Sequence, residues 1–493
     1  MSDSLKSKTI RGAAWTGFER IANQMVGFVV SIVLARLLVP SDYGVVGMLS
    51  VFLSISQLFI DAGFSSALIQ KKDRTDADFS TVFWCNLVIS SVCYLVLFIA
   101  APWIAEFYHM PVLKNLMRVL GFVLVINATY TIQVTRLTTI LDFKTQAKVS
   151  FANCILSGVV GVMMAALGFG PWALVTQSIF HSIFCSVAYW ILTKWHPQLL
   201  FSTDSFKHLF AFGSRILAAS CLHTLYTNIS PIIVGRKYSA AALGVYSRAD
   251  SLAALPGGIF QSTLGRVIYP ILSSIQDDEQ RLRAAYNKYL RIITSVVAPS
   301  MLLMAAISEP LIHTLIGERW LGCVPYIMIL AVAWMVDPIV VVNLNMIYVK
   351  GRSDVVLRLE VVKKVIAIAI VVVAVQFGVI WLCVGRAVYS FIALGLNLHV
   401  CGPFIGMSFW RQMQEVWRIY ASGIVAALSA YGVVVASKIM QTQSGNWWYS
   451  FGTLAASGVV GLGVYILLAV IQHFDVVAEA LSLIAKAKGR LCK

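Results

Sequence analysis

Long apolar blocks, rather than the narrow stripes of a soluble protein, follow one another from residue 13 to residue 471. About fourteen of them reach the ~20 residues that a helix needs to cross the hydrocarbon core of a bilayer. They lie near 13 to 39, 43 to 69, 79 to 106, 115 to 139, 147 to 169, 171 to 193, 209 to 235, 242 to 273, 289 to 316, 324 to 349, 359 to 376, 378 to 400, 418 to 439 and 449 to 471. Only short polar turns separate them, which leaves no room for a large soluble domain. The blocks are too long and too uniformly apolar for the alternating segments of a membrane β-barrel. The pattern therefore predicts an all-α integral membrane protein.

The two halves of the chain share a faint repeat. "VLARLLVPSDYGVV" (33 to 46) aligns without gaps on "IVGRKYSAAALGVY" (233 to 246), placing Arg36 on Arg236, Gly44 on Gly244 and Val45 on Val245. Both copies end one span, turn, and enter the next through a glycine. Six spans separate them, so both copies point the same way, as in transporters built from parallel repeats. The expected architecture is two pseudo-symmetric six-helix lobes, residues 1 to 195 and 207 to 400, with two further helices at 418 to 471. The polar, proline-containing stretch 193 to 210 joins the lobes, and 474 to 493 forms a short amphipathic tail.

Polar residues inside the apolar blocks are the candidates for function. In the first span Thr16, Arg20, Asn23, Gln24, Gly27 and Ser31 follow helical spacing and form one stripe. Ser50, Ser54, Gln57, Asp61 and Ser65 repeat the pattern in the second. Such stripes either line a wet lumen or pack helices against one another through small polar residues. An arginine at mid-bilayer costs roughly 2.5 to 3.5 kcal/mol on insertion scales, which argues for a lumen around Arg20. In the eighth span, "GVYSRADSLAALPGG" (244 to 258) sets Arg248 and Asp250 two positions apart. They point about 200° away from each other on a helix, so each needs its own partner. Arg248 is the preferred lumen residue of the two, although the sequence itself does not decide between them. Pro256, Gly257 and Gly258 follow as a kink or a hinge. Arg20, Arg248 and Arg386 thus form the candidate cationic site, and Asn23, Gln24, Gln57 and Asp61 its polar lining. Glu19, Asp250 and Asp337 are acids with either a structural role or a role in coupling to a proton or sodium gradient.

The formal net charge of +16 invites a nucleic-acid reading, but the placement of the 38 Lys and Arg residues argues against it. Most fall on the loops that face the cytoplasm if the N-terminus does, including "QKKDR" (70 to 74), "RLRAAYNKYLR" (281 to 291) and "AKAKGRLCK" (485 to 493). That asymmetry is the positive-inside rule, and it places both termini in the cytoplasm. The start, "MSDSLKSKTIRGAAW", reads as a retained tail rather than a cleaved signal. The nine cysteines form no CxxC pair and the eight histidines no metal-site spacing. No nucleotide loop, HExxH or GxSxG is present, so the expectation is a protein without cofactor or metal that is not an enzyme.

Four phrases together resemble the polysaccharide exporters, the O-antigen and colanic acid flippases of the multidrug/oligosaccharidyl-lipid/polysaccharide flippase superfamily. They are "LARLLVPSDYG" (34 to 44), "DAGFSSALIQKKD" (61 to 73), "GRVIYPILSSIQDDEQRLR" (265 to 283) and "IGERW" (316 to 320). The resemblance implies a flippase that carries undecaprenyl-pyrophosphate-linked oligosaccharide repeat units across the bacterial inner membrane by alternating access. It implies membrane lipids and polysaccharide polymerase or export machinery as partners. It also matches Arg20 and Arg248 by position to cavity arginines of related lipid flippases, and makes the last two spans a groove for the lipid tail. Glu19 precedes Arg20 here instead of an acid following it, which alters the local pairing. A cation-coupled multidrug antiporter of the same superfamily is the alternative, and would line its cavity with acids rather than arginines. A membrane-bound polysaccharide polymerase or ligase would need a larger outer loop than this chain has.

Overall fold

The structure, a computed structural model, describes residues 23–61, 63–71, 73–440 and 447–476. The elements of regular structure among them are helical, and the chain divides into two compact units, Met1–Gly244 and Val245–Lys493. In the first, α1 (Asn23–Leu37) is followed by α2 (Pro40–Asp61), α3 (Phe64–Gln70), α4 (Asp76–Phe107), α5 (Val112–Thr139), α6 (Phe143–Ala166), α7 (Pro171–Thr193) and α8 (Thr203–Lys237). The helix α9 (Ala240–Ser274) begins in the first unit and continues into the second. There follow α10 (Glu279–Ala306), α11 (Ser308–Leu315), a 3-10 turn at Glu318–Cys323, α12 (Val324–Trp334), α13 (Asp337–Val349), α14 (Ser353–Ala374), α15 (Val379–Ile405), α16 (Phe409–Met440) and α17 (Trp447–Ile471).

Ten helical stretches among the described residues are long and apolar enough to cross a membrane. The described residues of the other expected spans are also helical, on α1, α8, α9 and α14, but do not meet that standard, α1 being a shorter apolar helix from Asn23 to Leu37. Three expected spans are each broken in two. The second divides at Gly63, whose φ of 73° is left-handed. The ninth divides at Ile307, and the tenth before Pro338 in the first turn of α13.

The helices are inside out relative to those of a soluble protein. On α4, Ser80, Thr81, Asn86 and Ser90 are fully buried while Val88, Val92, Leu95, Val96, Ile99 and Trp103 are exposed. A helix in lipid gains nothing by hiding leucine from hydrocarbon but loses heavily by showing it a hydroxyl or an amide. Local signals start the helices at the polar ends. Thr75 and Asp78 form a reciprocal capping box on α4, and the side chains of Asp142, Ser202 and Asp278 accept from the first turns of α6, α8 and α10.

In the first unit the stretch between α7 and α8 is strapped to the start of α4. Trp195 Nε1 donates to Asp76 Oδ1 at 3.2 Å, and the backbone amides of Gln198 and Ser202 donate to Ser80 Oγ and Thr81 Oγ1, each at 3.0 Å. Trp84 Nε1 returns a bond to the carbonyl of Gln198 at 2.9 Å. The polar connector expected from its composition is therefore a segment bound to α4.

The repeat seen in the sequence has a structural counterpart in the same unit. A Cβ on Gly44 would overlap the backbone of Ala240, and one on Gly244 would overlap the carbonyl of Pro40. The two clashes are related by the same shift of 200 positions as the aligned sequences. Helices α2 and α9 approach backbone to backbone here, which only glycine permits.

The core of the second unit contains a buried polar knot. Tyr286 on α10 donates to Asn343 Oδ1 on α13 and lies 2.9 Å from Gln412 Oε1 on α16. Gln412 Nε2 in turn donates to the carbonyls of Leu398 and Met407 at the end of α15. All three side chains are fully buried, so each hydrogen bond avoids a full desolvation cost.

Gly44→Ala should lower the stability of the purified protein by about 1 to 3 kcal/mol, as overpacking does. Thermal melting in detergent checks this against Gly432→Ala, whose Cβ would meet nothing within 4 Å and which should not lower the midpoint. Tyr286→Phe should cost a similar amount, about 1 to 3 kcal/mol, by leaving Asn343 and Gln412 without their shared partner.

Candidate functional site

The second unit gathers charged side chains from four helices, and Arg386 is at the centre. It sits two turns into α15, where the backbone from Gly378 onward is a regular helix. Its Nη1 lies 3.7 Å from Asp250 Oδ1 on α9, and its guanidinium stands over the indole of Trp334 at 5.0 Å from the ring centre. Both members of the ion pair keep about a third of their side chain exposed, 36% for Arg386 and 33% for Asp250. The pair is longer than a charge-assisted hydrogen bond of ~2.8 Å.

Trp334 closes α12 and also meets α9. A Cβ at Gly257 would come within 3.3 Å of its ring, so the glycine lets the indole lie against the helix backbone. Gly258, the next residue, has nothing within 4 Å of a Cβ. Helix α9 continues through both Pro256 and Pro270, from Ala240 to Ser274.

Asp337 opens α13 and lies in the field of both Arg386 and Lys363. Lys363 on α14 is buried and paired with Glu360 one turn earlier. Tyr420 on α16 donates to the carbonyl of Met335 at 3.2 Å and interacts with Asp337. Acids and bases therefore alternate from α9 through α15 and α13 to α14. Arg248 is 8% exposed and acts electrostatically on Cys323, whose thiol approaches the Val245 carbonyl at 3.4 Å. Arg248 and Asp250 accordingly face different surroundings, as their 200° separation on the helix requires.

In the first unit, Asn23 Nδ2 donates to Ser150 Oγ on α6 at 2.8 Å, and Gln57 Nε2 to Asp61 Oδ1, one turn away on α2, at 3.1 Å. Gln24 and Asp61 are exposed. Glu19 and Arg20 lie outside the described residues. A cavity of about 210 Å³ is lined by residues including Gly27, Ser31, Tyr43, Ser157, Gln177 and His181. Asn153 links its wall to His181 and Cys185, at 3.1 Å and 2.7 Å.

Lys363 and Tyr420 were not anticipated as part of the charged group. The usable signal for Lys363 is "LEVVKK", an acid and a base three positions apart at the head of an apolar run. Tyr420 carries no local signal, since a tyrosine in a membrane helix ordinarily marks an interface.

These features define a multi-pass membrane protein with ionic side chains paired inside its helical units. The chain belongs to the polysaccharide biosynthesis protein family, which it matches over residues 33–325. It is similar to the teichuronic acid biosynthesis protein TuaB of Bacillus subtilis (strain 168), with 26% identity over 99% of this chain and 95% of that protein. It is also similar to the succinoglycan biosynthesis transport protein ExoT of Rhizobium meliloti (strain 1021), with 24% identity over 68% of each. The fold is that of the lipid II flippase MurJ in its inward closed conformation, with a TM-score of 0.74 and 14% identity, covering 95% of this chain and all of that one. Of these relatives, the succinoglycan protein is named for transport and MurJ for lipid flipping.

The Asp250 and Arg386 contact should appear as an interaction energy in a double-mutant cycle. Asp250→Asn, Arg386→Gln and the double variant, compared by denaturant or thermal unfolding, should show a coupling of about 0.5 to 3 kcal/mol.

Proposed function

We propose that the protein moves an undecaprenyl-pyrophosphate-linked oligosaccharide repeat unit across the bacterial inner membrane for surface polysaccharide synthesis. The observation that carries this reading is the flippase fold over 95% of the chain in a member of a polysaccharide biosynthesis family. The sugars and pyrophosphate cannot enter hydrocarbon unaided, whereas the polyprenyl tail can remain there, so the protein must supply charge to the headgroup alone.

In this reading Arg386 and Arg248 receive the pyrophosphate, and Arg20 serves the same purpose from the first helix. An arginine fork suits two neighbouring phosphate oxygens. Asp250 holds Arg386 in place while no substrate is present and yields it to the more highly charged pyrophosphate. Exchange of that kind allows a buried cation to be neutralised both before and after transport. Asp250 and Asp337 are the acids assigned to proton or sodium coupling. Both termini lie in the cytoplasm, in keeping with the distribution of Lys and Arg. A multidrug antiporter would need a net acidic site, whereas here the bases Arg386, Lys363 and Arg248 match the acids Asp250, Asp337 and Glu360 in number.

In a bacterium deprived of its own exporter of matching repeat unit, the wild-type chain should restore surface polysaccharide. Arg386→Ala should reduce it by at least about tenfold, the loss expected for a charge-assisted hydrogen bond to substrate. Arg386→Lys should recover only part, because the charge returns without the planar fork. Normal polysaccharide from both Arg248→Ala and Arg386→Ala would remove the site assignment and leave the fold assignment standing.

A further inference from the structure

A further cavity in the second unit lies apart from the Arg386 cluster. It has a volume of about 630 Å³ and lies where α10, α16 and the residues just after α17 meet. Four arginines line it, Arg283, Arg291, Arg411 and Arg418, against two carboxylates, Glu415 and Asp475. The carboxylates are already taken. Arg291 binds Glu415 through Nη1 and Asp475 through Nε, the latter at 2.6 Å, which ties the three elements together. Arg283, Arg411 and Arg418 have no ion-pair partner among the described residues. The buried hydroxyl of Ser295 and the amide oxygen of Asn287 also line the cavity without a hydrogen-bond partner.

A pocket with three arginines that no carboxylate engages, Arg418 stacked over Trp417, and an unused hydroxyl is suited to an anion with several acceptor oxygens. Its surroundings identify the source. Trp410 and Trp417, 74% and 53% exposed, flank it on α16 in the manner of residues at a membrane interface. From Trp417 an exposed apolar strip continues along α16 through Ile424 and Leu428, and α17, which packs against α16, exposes Leu467 and Ile471. Polar pocket and apolar strip together match a phosphate headgroup with its acyl chains, and a volume of this size lies within the ~300 to 1,000 Å³ of ordinary ligand sites.

We infer that this cavity binds the phosphate headgroup of an anionic glycerophospholipid of the surrounding membrane, whose acyl chains lie along α16 and α17. The site is separate from the Arg386 cluster, and the lipid is a resident one rather than the transported molecule. Because the headgroup bridges α10, α16 and the end of α17, its binding reinforces the junction made by Arg291.

Native mass spectrometry of the full chain released from detergent tests the assignment, with dioleoylphosphatidylglycerol as probe and dioleoylphosphatidylcholine, undecaprenyl phosphate and inorganic phosphate as comparisons. Phosphatidylglycerol should be retained in preference to phosphatidylcholine and should survive an excess of inorganic phosphate. Arg411→Gln, at an exposed position, should weaken retention about fivefold, and the combined Arg283→Gln, Arg411→Gln and Arg418→Gln variant by more. A Lys at each of the three positions should restore most of it, and thermal melting without lipid identifies any variant that has lost its fold. Equal retention by wild type and a folded triple variant would overturn the assignment. So would displacement by inorganic phosphate, which points to a free anion, or a preference for undecaprenyl phosphate, which points to the transported lipid.

Discussion

Hydrocarbon offers no hydrogen bonds, so every polar group within it must find a partner inside the protein or lie against water. The ion pair between Arg386 and Asp250 is the sharpest expression of that constraint in this chain. A lone guanidinium in a bilayer is expensive, and an acid on a neighbouring helix removes most of the charge while leaving a group that a phosphate can still engage. The same requirement accounts for Lys363 beside Glu360, for the bonded hydroxyls of Ser80, Thr81 and Ser90 on the buried face of α4, and for the knot of Tyr286, Asn343 and Gln412. Packing of aliphatic side chains fills the space between helices, but polar pairing decides which faces turn inward.

The two ionic assemblies of the second unit solve different problems. Around Arg386 the pairs are loose and partly open, and an aromatic ring provides the remaining support. Around Arg291 two carboxylates close on one guanidinium at hydrogen-bonding distance and leave the other arginines without a carboxylate partner. The first arrangement suits exchange of one anion for another. The second suits a fixed joint with a surplus of positive charge beside it.

Much of the fold was legible because membrane helices are set by length and hydropathy, which are local properties. The residues that open a helix, such as Thr75 and Asp78, are equally local. What the sequence left hidden depends on contacts between distant positions. Nothing around Asp250 indicates that its partner is 136 positions further on at Arg386, and the aromatic shelf at Trp334 is no more evident. The interruption at Gly63 was missed because the hydropathy of the block does not change there, and only the backbone angle does. The glycine repeat was the exception. Its few identities carried little weight as an alignment, yet Gly44 and Gly244 are the positions where two backbones come too close for a side chain. Arg20 and Glu19, prominent in the sequence, lie outside the described residues.

The strap between α7 and α8 bears on how the chain is made. Its bonds run back to Asp76, Ser80, Thr81 and Trp84, all of which leave the ribosome more than a hundred residues before Trp195, Gln198 and Ser202. Each partner is thus already synthesised when the strap appears. Helices α4 to α7 can be fastened at one end before translation of α8 is complete, and the later half of the protein is added to a bundle that no longer has a loose strand at that edge.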